Sequence, residues 1–238
     1  MKTTPNVLLV HGAWADASGW SKVIPPLLKH GFNVTAAQLP LNSLADDVTV
    51  TRRLLSQQTG PTVLVGHSYG GAVIGGAGYD APQVKALVYI AGWGVDQGES
   101  LEDLAKQGPA PAGAAFVRPD DFGFLWIDRA GFAQAFAGDV DPVEASVMAA
   151  TQKPLSVKAF TDKSGPVAWK KLPSWYLVSA NDQMIPPKAE ELMAKRMGAT
   201  IQSVPASHAS LVSHPKEVID IILLATEAAF ADAAGNRR

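Results

Sequence analysis

Thr62-Val63-Leu64-Val65-Gly66-His67-Ser68-Tyr69-Gly70-Gly71 is the stretch whose reading decides the fold. Its first four residues are β-branched or apolar without alternation, as in a strand buried on both faces. They run directly into Gly-x-Ser-x-Gly, and a segment rich in small residues follows. A sharp strand-to-helix turn that presents a serine crowds the positions two before and two after it, so neither tolerates a Cβ. The helix predicted over 69–79 then carries Gly70, Gly71, Gly75, Gly76 and Gly78. Each costs about 1 kcal/mol of helix propensity relative to alanine, so the helix is expected to need close backbone approach to its sheet. The competing reading is a glycine-rich turn with a purely structural role; the flanking strand and small-residue helix favour a turn built to expose Ser68.

Outward from this turn, short β-branched runs alternate with helical patterns, the signature of a parallel sheet covered on both faces. Strands are expected at 7–10, 32–37, 62–65, 84–90, 174–179 and 200–204, most of them continuously apolar. Helices are expected over 18–30, closed by Gly31 with His30 at the favourable end of its dipole, then over 44–57 and 188–197. A last helix should start near Pro215 and continue towards Ala231, leaving 232–238 as a frayed tail. The rhythm breaks between residues 95 and 170, where Gly, Pro, Ala and isolated aromatics such as Phe116, Phe124, Trp126 and Phe136 predominate. A structureless loop of that length is improbable in a compact domain. The expectation is therefore a single α/β domain over 1–238, with a mainly parallel sheet of about six strands and an inserted, mostly helical cap over 95–170.

Composition narrows the chemistry. The 238 residues carry 20 Lys+Arg against 22 Asp+Glu, a formal charge of −2, and no cysteine. That balance leaves no electrostatic footprint for nucleic acid or acidic membranes. No apolar run approaches the length of a membrane span, and none near the N-terminus serves as a signal-peptide core, so a cytoplasmic setting is expected. The missing cysteines exclude disulfides, thiolate catalysis and cysteine metal sites. No phosphate loop or metal-ligand cluster appears, so no cofactor and no metal are expected.

A serine hydroxyl at neutral pH is a weak nucleophile and needs a base, itself oriented by a carboxylate. Of the five histidines, His67 adjoins Ser68 but should point away from it, into the core or a wall. His11 ends the first strand, where it either lines the site or fixes its loop. His214 sits at a helix start. His208 lies in Pro205-Ala206-Ser207-His208-Ala209, directly after the last strand, at the sheet edge where open α/β sheets place reacting groups. For the acid, Asp182 follows the strand 174–179 at the same edge and preserves the chain order serine, acid, histidine; it can also be read as an Asn-Asp turn. Asp96, after the preceding strand, is the rival. An oxyanion would need two backbone donors, expected from Tyr69 and from the loop His11-Gly12-Ala13-Trp14. Gly12 can instead be read as a plain turn glycine.

The elbow 66–71, the loop Val10-His11-Gly12-Ala13-Trp14, Asp182 and His208 together resemble the α/β-hydrolase superfamily, and within it the small esterase and hydroxynitrile-lyase branch that includes plant methylesterases. The resemblance implies the α/β-hydrolase fold, Ser68 as nucleophile, His208 as base, Asp182 as its partner, and the amides of Ala13 and Tyr69 as oxyanion hole. It also implies a small-molecule ester as substrate and allows a homodimer. The lyases of this branch carry a threonine where this chain has Gly12 and a lysine where it has Ala209, so ester hydrolysis is favoured over cyanohydrin cleavage. A carbon–carbon hydrolase and a non-catalytic small-ligand receptor are the alternatives. Gly12 and Trp14 are the expected pocket residues.

Overall fold

A computed structural model describes residues 5–235. In chain order the first half comprises β1 (Asn6–Val10), α1 (Ile24–Lys29), β2 (Asn33–Ala37), α2 (Leu44–Ser56), β3 (Thr62–His67), α3 (Tyr69–Ala77) and β4 (Val84–Ile90). An inserted segment follows with α4 (Leu101–Ala105), β5 (Val117–Pro119), β6 (Phe124–Ile127), α5 (Phe132–Phe136), α6 (Pro142–Thr151), β7 (Leu155–Ser156) and α7 (Val157–Thr161). The chain then returns through β8 (Ser174–Ser179), α8 (Pro187–Arg196), β9 (Thr200–Val204), α9 (Ser210–Ser213) and α10 (Pro215–Gly235).

Six strands form one sheet in the order β2-β1-β3-β4-β8-β9, and every neighbouring pair is parallel. Parallel strands present both faces to helices, and successive residues supply opposite cores. Val7, Leu9, Val63 and Val65 pack with Trp20, Leu27 and the α10 residues Ile221 and Ile222. Leu8, Val10 and Leu64 pack with residues of α2, α3 and α8 on the other side. From β1 the chain moves outward to β2, then returns to lay β3 on β1's other edge. This reversal opens a crevice beyond the carboxyl ends of β1 and β3, the place where doubly wound sheets hold their ligands.

Three boundaries depart from the sequence reading. The pattern over 18–30 splits into a 3-10 turn at Ala17–Trp20 and the short α1, because Pro25 and Pro26 fit only the first turn of a helix. The last helix runs to Gly235, past the expected start of fraying; the remaining tail residues 236–238 lie outside the described part. The inserted segment, besides the four short helices α4–α7 and 3-10 turns at Ala112–Phe116 and Ala168–Lys170, holds a small antiparallel sheet, β5-β6-β7, that the sequence did not announce.

Candidate active site

Ser68 caps α3 with φ +53° and ψ −123°, a backbone conformation that side chains rarely adopt. The strain is held by neighbours on every side. Its amide donates to Ile90 O at 3.1 Å, and its carbonyl accepts from the amides of Gly71 (2.9 Å) and Trp93 (3.0 Å). The flanking glycines make this turn possible. A Cβ on Gly66 would lie 2.5 Å from Gly70 O, and one on Gly70 would lie 2.5 Å from Val10 O. The elbow is thus wedged between β4 and the end of β1.

Three side chains from three strand ends meet here. His208 Nε2 lies 2.8 Å from Ser68 Oγ, and His208 Nδ1 lies 2.5 Å from Asp182 Oδ2. Asp182 Oδ1 accepts the amides of Met184 (2.6 Å) and Ile185 (2.9 Å), so both oxygens are committed. All three residues are buried. With Nδ1–H donated to a carboxylate, Nε2 is left as the acceptor facing the serine hydroxyl, an arrangement able to take that proton. Asp96, the rival acid, is engaged elsewhere, by Lys170 Nζ at 2.5 Å.

The loop after β1 passes directly behind Ser68. A Cβ on Gly12 would stand 2.7 Å from Ser68 Cβ, so this position serves close approach, and Gly12 does not border the cavity. Ala13 and Tyr69 do border it, and among the described residues neither amide donates to a protein acceptor. Trp14 forms part of the wall. Its backbone is also left-handed (φ +57°), its amide donates to Lys153 O at 3.0 Å, and its indole donates to Leu125 O at 2.8 Å.

The cavity above Ser68 measures about 570 Å³. Trp93, Leu101, Leu104, Val117, Leu125 and Phe160 give it a predominantly apolar lining, most of it from the inserted segment. Lys188 and Arg196 border it too, with the guanidinium held by Glu99 through two contacts at 2.8 and 2.9 Å.

Several further residues support this arrangement, His67 and His11 in roles the sequence reading had offered, and Phe136, Asp139 and Asp47 in roles it had not. His67 Nε2–H donates to His208 O at 2.8 Å, and its ring sits 4.9 Å from the His208 ring. Burial, aided by neighbouring His208, lowers His67 to a pKa of about 3, so it is a neutral strut. Phe136 packs edge-on against His208 at 4.8 Å, while its carbonyl accepts the Ala209 amide at 3.0 Å. Asp139 accepts the amide of Ser207 at 3.0 Å and its hydroxyl at 2.5 Å. His11 fixes its own loop: Nδ1–H donates to Gly12 O (2.8 Å) and Nε2 accepts the Leu39 amide (3.0 Å), with burial lowering its pKa to about 4. Asp47 receives the Tyr69 hydroxyl at 2.6 Å and the Leu41 amide at 3.0 Å. Only His67 and His11 carried any signal, as histidines beside a motif; Phe136, Asp139 and Asp47 come from distant segments.

Comparison with known proteins agrees with this architecture. A model of the alpha/beta hydrolase family matches residues 7–221, and the chain belongs to that family. A pyrethroid hydrolase of Sphingobium wenxiniae is 26% identical, over 99% of this chain and 91% of that protein. Among solved structures, a pyrethroid hydrolase from Sphingobium faniae superposes with a TM-score of 0.82 at 23% identity, covering 98% of this chain and 100% of the other. A polyneuridine aldehyde esterase superposes with a TM-score of 0.79 at 19% identity, covering 93% and 98%. These likenesses show a shared fold across the full chain. Among the described residues no helix is long and apolar enough to cross a membrane, and no group of three or more His, Asp or Glu is placed to hold a metal ion.

Proposed function

We propose that the protein is a serine carboxylesterase acting on small-molecule esters with sizeable apolar groups. The observation that carries this reading is the unbroken contact chain Ser68–His208–Asp182 at the floor of an apolar cavity. Ser68 Oγ attacks the ester carbonyl as His208 Nε2 takes its proton, and Asp182 stabilises the imidazolium. The amides of Ala13 and Tyr69 receive the developing oxyanion; losing one such donor costs about 3–4 kcal/mol of transition-state stabilisation in comparable enzymes. His208 returns the proton to the departing alcohol, leaving an acyl-enzyme on Ser68. Water, deprotonated by the same imidazole, then attacks the acyl carbon, and a second oxyanion collapses to acid and free serine.

The cavity supports the substrate class. About 570 Å³ of mostly apolar space suits an ester bearing an aryl or branched hydrocarbon group on at least one side. Cyanohydrin cleavage is disfavoured because the threonine and lysine of the lyases are both absent, and position 12 has no room for a side chain. A threonine at position 12 would carry its Cβ to within 2.7 Å of Ser68 Cβ, and Ala209, fully buried, offers no cation for a departing anion.

The test is a graded series of p-nitrophenyl esters with a cyanohydrin alongside, assayed on wild type and Ser68→Ala. Wild-type turnover should rise with acyl apolarity until the cavity is filled, and Ser68→Ala should lose about 10⁴-fold or more in kcat. An organophosphonate should label wild type only. Ester turnover unchanged in Ser68→Ala would overturn the reading, and Ser68-dependent cyanide release without ester turnover would replace it with a lyase.

A further inference from the structure

A second carboxyl group lies behind Asp182, and the mechanism above does not use it. Glu190, in the first turn of α8, is fully buried. Its Oε2 accepts the Ser179 amide at 3.1 Å, whereas among the described residues Oε1 is enclosed without a partner. By accepting the amide of Ser179, three residues before Asp182, the Glu190 carboxyl lies beside the Asp182 loop, and the Asp182 charge acts on it. Among the described residues no lysine or arginine is part of this cluster; the other titratable groups facing it are Tyr176, from the strand beneath, His208, beyond Asp182, and His67, whose ring lies 4.9 Å from that of His208.

Two carboxylates buried side by side without a cation cannot both be ionised at modest cost, so one keeps its proton. The two are unequal. Asp182 accepts two backbone amides and the imidazole, three donors that favour its anion, while Glu190 accepts one amide. A hydrogen bond between two carboxyl groups also requires a proton on one of them. Burial and the neighbouring Asp182 charge both push the Glu190 acid well above its ordinary range. The proton is therefore assigned to Glu190, whose Oε1 has no other partner among the described residues.

We propose that Glu190 is a positioning residue for the reaction: a neutral carboxylic acid that donates to Asp182, fixes that carboxylate's angle to His208 Nδ1 and draws charge from it. The proposal rests on the esterase reading of the site. Its consequence is a milder partner for the imidazole. An undonated Asp182 would hold the imidazolium more strongly, and the acid limb of the activity profile would then move up.

The experiment compares wild type, Glu190→Gln and Glu190→Met through pH profiles of kcat/KM on one p-nitrophenyl ester. Gln keeps a neutral donor; Met keeps the volume and removes it. Glu190→Gln should stay within about twofold of wild type with its acid limb unmoved. Glu190→Met should lose about tenfold in kcat with KM little changed, and its acid limb should move up by about 0.5–1 pH unit. Infrared difference spectra of wild type against Glu190→Gln at pH 7 give a readout independent of turnover and of how well Glu190→Met folds. They should contain the carbonyl stretch of one protonated carboxylic acid. An acid limb that falls in Glu190→Gln would show that wild-type Glu190 is ionised, and would overturn the proposal. So would identical profiles in all three proteins, or an infrared difference lacking the acid band. Loss of the esterase reading itself would be visible separately, as turnover surviving in Ser68→Ala.

Discussion

At Gly70 and Gly75, two residues of one helix, the same substitution has opposite consequences. A Cβ on Gly70 would stand 2.5 Å from Val10 O and 2.7 Å from His11 O, both backbone atoms that can yield only by moving the loop after β1. Gly75 faces no such obstacle: its nearest contacts would be Tyr89 Oη at 3.7 Å and Val167 Cγ1 at 3.9 Å, ordinary van der Waals distances. Gly70→Ala should therefore destabilise by about 2 kcal/mol or more and cut esterase turnover, because the displaced loop carries Ala13. Gly75→Ala should stabilise by about 0.5–1 kcal/mol through helix propensity alone. Urea unfolding of both variants, with turnover on one ester, checks the pair. The sequence predicts close approach for every glycine of this helix, because it shows the cost of each but not the neighbour that compensates it. Ser68 was legible because its requirements are local, two glycines and a preceding strand. Asp182 and His208 were legible because open sheets put reacting groups after strand ends. Glu190 was not, since a glutamate in a helix's first turn reads as an ordinary dipole partner until burial shows otherwise.

Among the elements, the inserted segment does more than cover the cavity. The 3-10 turn at Ala112–Phe116 lies against the loop that holds Asp182: Gly113 N donates to Gln183 O at 2.7 Å. A Cβ on Gly113 would meet Gln183 O at 2.5 Å and Met184 Sδ at 2.6 Å. At the other end α5 holds the loop of His208, through the Phe136 carbonyl and ring. The loops of Asp182 and His208 are thus both braced by residues between β4 and β8. Gly113→Ala should push Gln183 and Met184, misalign the Met184 and Ile185 amides on Asp182, and lower kcat about tenfold or more, since small displacements of reacting groups are expensive. Ester kinetics and a melting curve check it; a melting point within a few degrees of wild type with unchanged kcat would show that the brace does not reach Asp182. The strands of the main sheet were legible because burial on both faces makes them continuous apolar runs. The β5-β6-β7 sheet was not, as strands of three, four and two residues are too short for any period to declare itself. Likewise the apolar positions of 18–30 fit a helix, and only the placement of Pro25 and Pro26 reveals where it can start.

For the whole molecule, four buried titrating side chains pull stability in opposite directions between about pH 4 and 6.5. Burial lowers His11 to about 4 and His67 to about 3 from an ordinary 6.5. The unfolded chain then binds protons that the folded one refuses, so both contribute stability that is present above pH 6.5 and is lost as the pH falls towards their folded values. Burial raises Asp47 from 3.8 to about 6 and pushes Glu190 well above 4.5. Here the folded chain holds protons that the unfolded one releases, so each contributes stability that is full below its ordinary value and is lost as the pH rises through its folded one. Asp96, Asp103, Asp120 and Asp139 are all held below 3.8 and act only in stronger acid. Near pH 5 the two histidines and the two acids act with opposite sign. The unfolding free energy of wild type should therefore rise less steeply with pH between about 4.8 and 5.5 than the two histidines alone would make it. Asp47→Asn removes one of the opposing acids while keeping a side chain that can accept the Leu41 amide. Its stability should climb with pH more steeply than that of wild type, by up to one proton's worth, about 1.4 kcal/mol per pH unit, over the same interval. Urea titrations at closely spaced pH values measure both slopes. Parallel curves for the two proteins would mean that Asp47 is already ionised in the folded state at pH 5, and the balance of buried charges would have to be redrawn around Tyr69.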